Sequence, residues 1–200
     1  MSLSDILTIL FGIISIIGTA AAFYFERRAR KLAIEKNRFS WSDIEHGSQL
    51  ITQKCIKRFK PKALLTFSGS GSVIGNLCLI YSGEYLPMYT VIEYPNDRKK
   101  IIEDMSGFAK FEYSKWVLFV PEAFMTHKND RVVLIHDCTI SGVGLNFIVQ
   151  KLVESGFDRN NIMTAALIST QASIDARLAP DCYSYQIENN VFYFPWGKRV

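Results

Sequence analysis

The stretch Arg131-Val-Val-Leu-Ile-His-Asp-Cys-Thr-Ile-Ser-Gly-Val-Gly-Leu145 constrains the fold most. Val132 to Ile135 is an apolar run too short for a helix, bounded by a charge and a polar pair. That is the pattern of a strand buried on both faces, as in α/β proteins whose sheets are covered by helices. A polar turn, Ser141-Gly142-Val143-Gly144, follows, and Leu145, Ile148, Val149 and Leu152 then recur on one helical face. A strand, a tight loop and a helix N-terminus aim backbone N–H groups and the positive end of the helix dipole at one point, which suits an anion. Asp137 stands beside that point, and an acid there adds recognition of hydroxyls or a metal. Phosphate and diol together describe a phosphorylated sugar.

The rest of the chain repeats this alternation. Ser42-Asp-Ile-Glu45 has the capping-box pattern, and Ile44, Ile51, Cys55 and Phe59 continue it as a helical stripe that stops at Pro61. Lys62 to Phe67 reads as a strand, Ser68-Gly69-Ser70-Gly71-Ser72 as a small-residue loop, and the run from Val73 as a helix. Leu86 to Glu93, Lys115 to Val120 and Asn161 to Ile168 read as further strands, with a charged, turn-rich segment at Asn96 to Lys110. Strands separated by helices predict an α/β fold with a mostly parallel sheet flanked by helices.

These segments resemble type I phosphoribosyltransferases. In that family a buried strand ends in two acids that hold ribose hydroxyls, and a short loop then wraps the 5′-phosphate. By that resemblance Asp137 matches the second acid, while His136 stands in place of the first; both are the catalytic candidates. Cys138, Thr139, Ile140, Ser141, Gly142, Val143 and Gly144 would form the phosphate loop, with Ser141-Gly142 at its centre and Gly144 in place of a closing hydroxyl residue. Ile140 occupies the position where purine-salvage members carry an acid facing the base. Ser68 to Ser72 falls where the family's diphosphate loop lies. The tail Val191-Phe-Tyr-Phe-Pro-Trp-Gly197 resembles that of guanine- and xanthine-type members, which places Trp196 near the base. The implied ligand is phosphoribosyl diphosphate or a nucleotide. Mg²⁺ would arrive with the diphosphate, touch Asp137 at most, and use no protein-only metal site. On the loop motif alone, an ordinary βα turn is the other reading.

Ile6 to Phe25 runs without a charge and, at 1.5 Å per residue, matches a hydrocarbon core of roughly 30 Å. With Arg27, Arg28, Arg30 and Lys31 after it, the positive-inside rule predicts a single-pass inner (plasma) membrane protein, N-terminus out and C-terminal domain cytoplasmic. The expected organisation is an anchor over 1–25, a basic juxtamembrane linker over 26–41 and the phosphoribosyltransferase-like domain over 42–200. Gly12, Ser15, Gly18, Thr19 and Ala22 form a small-residue stripe, so a homo-oligomer is expected. This domain order resembles that of retron-associated antiphage effectors, which implies a role in bacterial defence and defence-system partner proteins.

The net charge of +4 owes much to that basic cluster, and no nucleic-acid signature appears, so direct nucleic-acid binding is not expected. Cys55, Cys78, Cys138 and Cys182 are scattered without a CxxC pair, which indicates neither a zinc site nor a disulfide framework. Two functions fit: a divergent ligand-binding protein that serves as sensor or effector, and an active phosphoribosyltransferase joining phosphoribosyl diphosphate to a nucleobase.

Overall fold

Strand and helix alternate through most of the computed structural model, which describes residues 15, 18–29, 32, 38–95, 105–114, 116–188 and 191–199. Elements are numbered along the chain: α1 (residues 18–29), α2 (Trp41–Ile51), β1 (Ala63–Phe67), α3 (Ser68–Ser82), β2 (Met88–Pro95), β3 (Phe108–Tyr113) and β4 (Trp116–Pro121). Then come β5 (Val132–Thr139), α4 (Val143–Glu154), β6 (Ile162–Thr170), α5 (Gln171–Asp175), β7 (Cys182–Ile187), β8 (Phe192–Phe194) and β9 (Gly197–Arg199). They fall into two compact units, residues 41–190 and residues 1–40 with 191–200.

The larger unit is built on a seven-stranded sheet in the order β3-β4-β2-β1-β5-β6-β7. The pairs β2–β1, β1–β5, β5–β6 and β6–β7 are parallel, and β3 and β4 add an antiparallel edge. All five residues of β1 are buried, as a strand covered on both faces requires. Alternation along β1 sends Ala63, Leu65 and Phe67 into the core under α4, where Leu145, Ile148, Val149 and Leu152 join them. Fully burying each of the larger of these side chains contributes about 1.5–3 kcal/mol. The opposite face is covered by α2 and α3. There Gly75 lies so close to Thr66 that an added Cβ would sit 2.6 Å from its methyl carbon. A Cβ on Gly47 of α2 would likewise meet Leu167 at 2.4 Å, and Ser184 Oγ donates to the Gly47 carbonyl at 2.7 Å.

Three local expectations are corrected. Ser68 to Ser72 is the opening of α3 and not a loop, because β1 passes into the helix directly at Phe67. The first helix of this unit does not run unchanged to Pro61: it becomes a π-helical segment at Thr52–Lys57. The charged segment after Asn96 contributes the strand β3 from Phe108, while residues 96–104 lie outside the described residues.

All four cysteines are free and buried. Burial pushes the Cys78 thiol up to about 12, and a hydrogen bond with Cys182 together with burial pushes Cys55 up as well.

In the smaller unit β8 and β9 form an antiparallel hairpin, and Arg38 makes a bridge to Tyr193. The single-pass membrane placement is corrected: among the described residues, no helix is long and apolar enough to cross a membrane. The described helix α1 carries Glu26, Arg27 and Arg28, and Arg27 packs its guanidinium over Phe23. Residues 6–14, 16 and 17 of the expected span lie outside the described residues, as does Gly12 of the small-residue stripe.

Candidate functional site

In a parallel sheet, the crevice for a ligand opens outside the carboxyl ends of the strands, where neighbouring connections leave toward opposite faces. Here that point lies between β1 and β5. From β1 the chain enters α3 on one face and leads to β2; from β5 it enters α4 on the other face and leads to β6. Two helix N-termini therefore open at adjacent strand ends, and the first N–H groups of each have no carbonyl partner within their helix. Neither helix has a side-chain cap: Phe67 and Gly142 hold the N-cap positions.

The expected phosphate loop is shorter than the sequence suggests: Cys138 and Thr139 are the last residues of β5 and Val143 and Gly144 the first of α4, so only Ile140 to Gly142 connect them, held in place by their neighbours. Gly142 has φ +73° and packs against Leu178, whose carbonyl oxygen would lie 1.9 Å from an added Cβ, so only glycine fits. Asn146 Nδ2 donates to the carbonyls of Gly142 and Leu178, and the Thr170 hydroxyl donates to the Ile140 carbonyl. Ser141, Val143 and Gly144 are exposed at the helix start, and nothing lies within 4 Å of where a Cβ on Gly144 would be. The Val143 N–H is 3.5 Å from Ser141 Oγ. Thr139 is different: it is buried and its hydroxyl donates toward the Ile168 carbonyl and Ser169 on β6. Its side chain therefore faces the sheet and not the loop's concavity.

Asp137 is 1% exposed. Its Oδ2 accepts from Ser70 Oγ at 2.7 Å, and its Oδ1 accepts from the Cys138 N–H at 2.8 Å. His136 Nδ1 is 2.6 Å from the same Oδ1 and 3.2 Å from the Cys138 N–H. The His136 ring stacks on Phe67, centroids 4.9 Å apart, which anchors the imidazole between β1 and β5. Asp137 is thus a buried carboxylate already supplied with internal donors, as burial of a charge demands.

The small-residue segment meets this cluster through Ser70 and Gly71. A Cβ on Gly71 would sit 3.1 Å from the Ile135 carbonyl oxygen, so glycine lets α3 rest against β5. Ser72 Oγ turns inward to the hydroxyls of Thr66 and Thr90 at 3.0 and 3.1 Å. Gly69 is exposed, with nothing within 4 Å of its would-be Cβ. Trp196 belongs to the other unit, where its ring stacks on Phe194 at 4.7 Å.

The donor atoms of His136, Asp137 and Cys138 lie within 4.8 Å of one another. A nitrogen, oxygen and sulfur set suits softer cations, whereas Mg²⁺ asks for six oxygens in near-octahedral order with several waters. With both Asp137 oxygens bonded internally, these residues do not fit Mg²⁺.

No protein-family model matches the chain, and no curated protein matches it. Solved structures do. A purine phosphoribosyltransferase from Pyrococcus horikoshii superposes with a TM-score of 0.59 at 19% identity, over 82% of this chain and 95% of that one. A hypothetical protein from Neisseria gonorrhoeae with bound ppGpp gives 0.57 at 15% identity, over 80% and 89%. An adenine phosphoribosyltransferase from Trypanosoma brucei, in complex with AMP, pyrophosphate and ribose-5-phosphate, gives 0.51 at 17% identity, over 70% and 64%. At such identities the likeness establishes the fold: the chain has the α/β architecture of the type I phosphoribosyltransferases.

Proposed function

We propose that the larger unit binds a phosphoribosyl or nucleotide ligand in the crevice above β1 and β5 and serves as a sensor of that ligand. The observation that carries this reading is the opening of two uncapped helix N-termini, α3 and α4, at adjacent strand ends. Such termini stabilise phosphate through backbone N–H groups and the helix dipole, without needing particular side chains. The 5′-phosphate would rest on Ser141 to Leu145, and a second phosphate group would lie toward Gly69. The ligands bound to the Neisseria and Trypanosoma proteins, ppGpp in one and AMP, pyrophosphate and ribose-5-phosphate in the other, have the phosphate and ribose chemistry this crevice would take.

Sensing is favoured over turnover by Asp137. To hold a ribose diol, its carboxylate must release donors from Ser70, His136 or the Cys138 amide. Ile140 has no proton to give a base. The alternative, an active transferase joining phosphoribosyl diphosphate to a nucleobase, draws support from the His136–Asp137 pair, which can hold a proton beside the crevice. Among the described residues no helix is long and apolar enough to cross a membrane, so the domain-order likeness to antiphage effectors lends the proposal no support.

Calorimetric titration of the full chain with ribose 5-phosphate, phosphoribosyl diphosphate, AMP and ppGpp tests binding. Diphosphate release from phosphoribosyl diphosphate in the presence of each nucleobase tests turnover. Binding without release is the expected result, release with any base would establish the transferase, and failure of all four ligands to bind would overturn both readings.

A further inference from the structure

The edge of the sheet opposite the crevice carries a second concavity, lined by three lysines. Lys57 closes the π-helical segment, Lys60 sits in the turn behind it with φ +53°, and Lys62 immediately precedes β1. Their backbones are pinned: the Lys60 N–H donates to the Ile56 carbonyl at 2.9 Å and the Lys62 N–H to the Arg131 carbonyl at 2.7 Å. Ser82 at the end of α3, Glu84 and Leu86 also line it, and this open hollow has a volume of about 480 Å³. Among the described residues none of the three lysine ammonium groups is paired with a carboxylate. Lysines are favoured behind a helix C-terminus. That accounts for Lys57 and does not explain three lysines, none of them in an ion pair among the described residues, around one hollow with a single carboxylate, Glu84; the excess positive charge favours an anion there.

The hollow continues into a second one of about 340 Å³ that shares Glu84 and Leu86 with it. Its wall includes Ile80 and Tyr85, which are 72% and 103% exposed. The exposed Tyr85 ring, with the exposed Ile80 lining the same hollow, offers an aromatic face on which a base can stack. Lysines alone would suit any polyanion; lysines adjoining an aromatic shelf suit a polyanion with a ring. Glu84 at the junction repels phosphate and accepts from hydroxyl or amine donors, so it orders such a ligand with phosphates toward Lys57 and the ring toward Tyr85.

We infer that this edge of the larger unit is a separate nucleotide site, binding a nucleoside polyphosphate through Lys57, Lys60 and Lys62 with its base on Tyr85. It lies at the start of β1, while the crevice lies at the strand's end, about 17 Å away for five residues at 3.3 Å each. The two sites can therefore fill together.

A fluorescent adenosine triphosphate is titrated into the full chain, alone and with ribose 5-phosphate at saturation. The proposal expects binding that persists under ribose 5-phosphate. It also expects roughly tenfold weakening in a Lys57→Gln/Lys60→Gln variant and roughly threefold in Tyr85→Ala, each with an unchanged melting temperature, as befits exposed or partial contacts. Inorganic triphosphate should compete more weakly than the nucleotide. Complete displacement by ribose 5-phosphate, unchanged affinity in the lysine variant, or inorganic triphosphate matching the nucleotide would each overturn it. So would binding only of vesicles containing phosphatidylserine, which would make the hollow a lipid-headgroup contact. These outcomes are independent of whether the crevice itself binds phosphoribosyl ligands.

Discussion

Ser70 on α3 donates its hydroxyl proton to Asp137 on β5 at 2.7 Å, across 67 positions of sequence. The bond ties the two strand-to-helix junctions of the crevice to each other. It also means that the acid beside the candidate phosphate loop holds two elements of the protein together.

Replacing Asp137 therefore affects folding, which a carboxylate open to solvent would not. Asp137→Asn keeps the shape and loses the charge that Ser70, His136 and the Cys138 amide serve. Unfolding free energy should fall by about 1–3 kcal/mol, the cost of mismatched buried hydrogen bonds. Ser70→Ala should cost less, about 1 kcal/mol, by leaving one oxygen without its donor. Urea denaturation of both variants checks this; an unchanged midpoint for Asp137→Asn would show that the carboxylate is not structural.

The two glycines of the loop should behave oppositely. Gly142→Ala must adopt a left-handed φ and drive its Cβ into the Leu178 carbonyl, so a loss of about 3 kcal/mol or more is expected. Gly144→Ala meets no atom within 4 Å and sits inside α4, so stability should rise by up to about 1 kcal/mol. If phosphate rests on that turn, the same alanine methyl crowds it, and affinity for ribose 5-phosphate should drop while the melting temperature climbs.

Of the two hydroxyl residues flanking Ile140, only one faces outward. Thr139→Val removes a buried contact to β6 and should leave ribose 5-phosphate affinity within about twofold while costing about 1 kcal/mol of stability. Ser141→Ala should do the reverse, weakening the ligand by about 1 kcal/mol with stability nearly unchanged. Calorimetry paired with thermal melts separates the two.

Stability should decline at high pH. Burial lifts the Cys78 thiol from its ordinary 9.0 to about 12. Between those values the unfolded chain ionises this thiol and the folded chain does not, so the unfolded state binds fewer protons and stability falls as pH rises. The slope from Cys78 approaches 1.4 kcal/mol per pH unit above pH 9, and its contribution is fully present below pH 9. Cys78→Ala should flatten the denaturation profile between pH 9 and 12 by that amount; an identical slope would show that other groups cause it.

The buried strand β5, the face Leu145-Ile148-Val149-Leu152 of α4 and the alternation of strands with helices were legible in the chain, because burial imposes a period on neighbouring residues. Glycine at 142 was legible as a turn residue, although its reason, the Leu178 carbonyl, comes from 36 positions away. Hydropathy at the N-terminus suggested a membrane span, and among the described residues no helix is long and apolar enough to provide one. Whether Ser68 to Ser72 would be loop or helix depended on β1 running straight into α3 and on Gly71 finding the Ile135 carbonyl beside it. Short-range order thus determined the elements of this protein and the place of its candidate phosphate loop. Sheet order decided the rest: by setting β1 beside β5 it opened a crevice between two helix N-termini and closed Ser70 onto Asp137, and such pairings follow from the packing of both sheet faces, which no local window of residues contains.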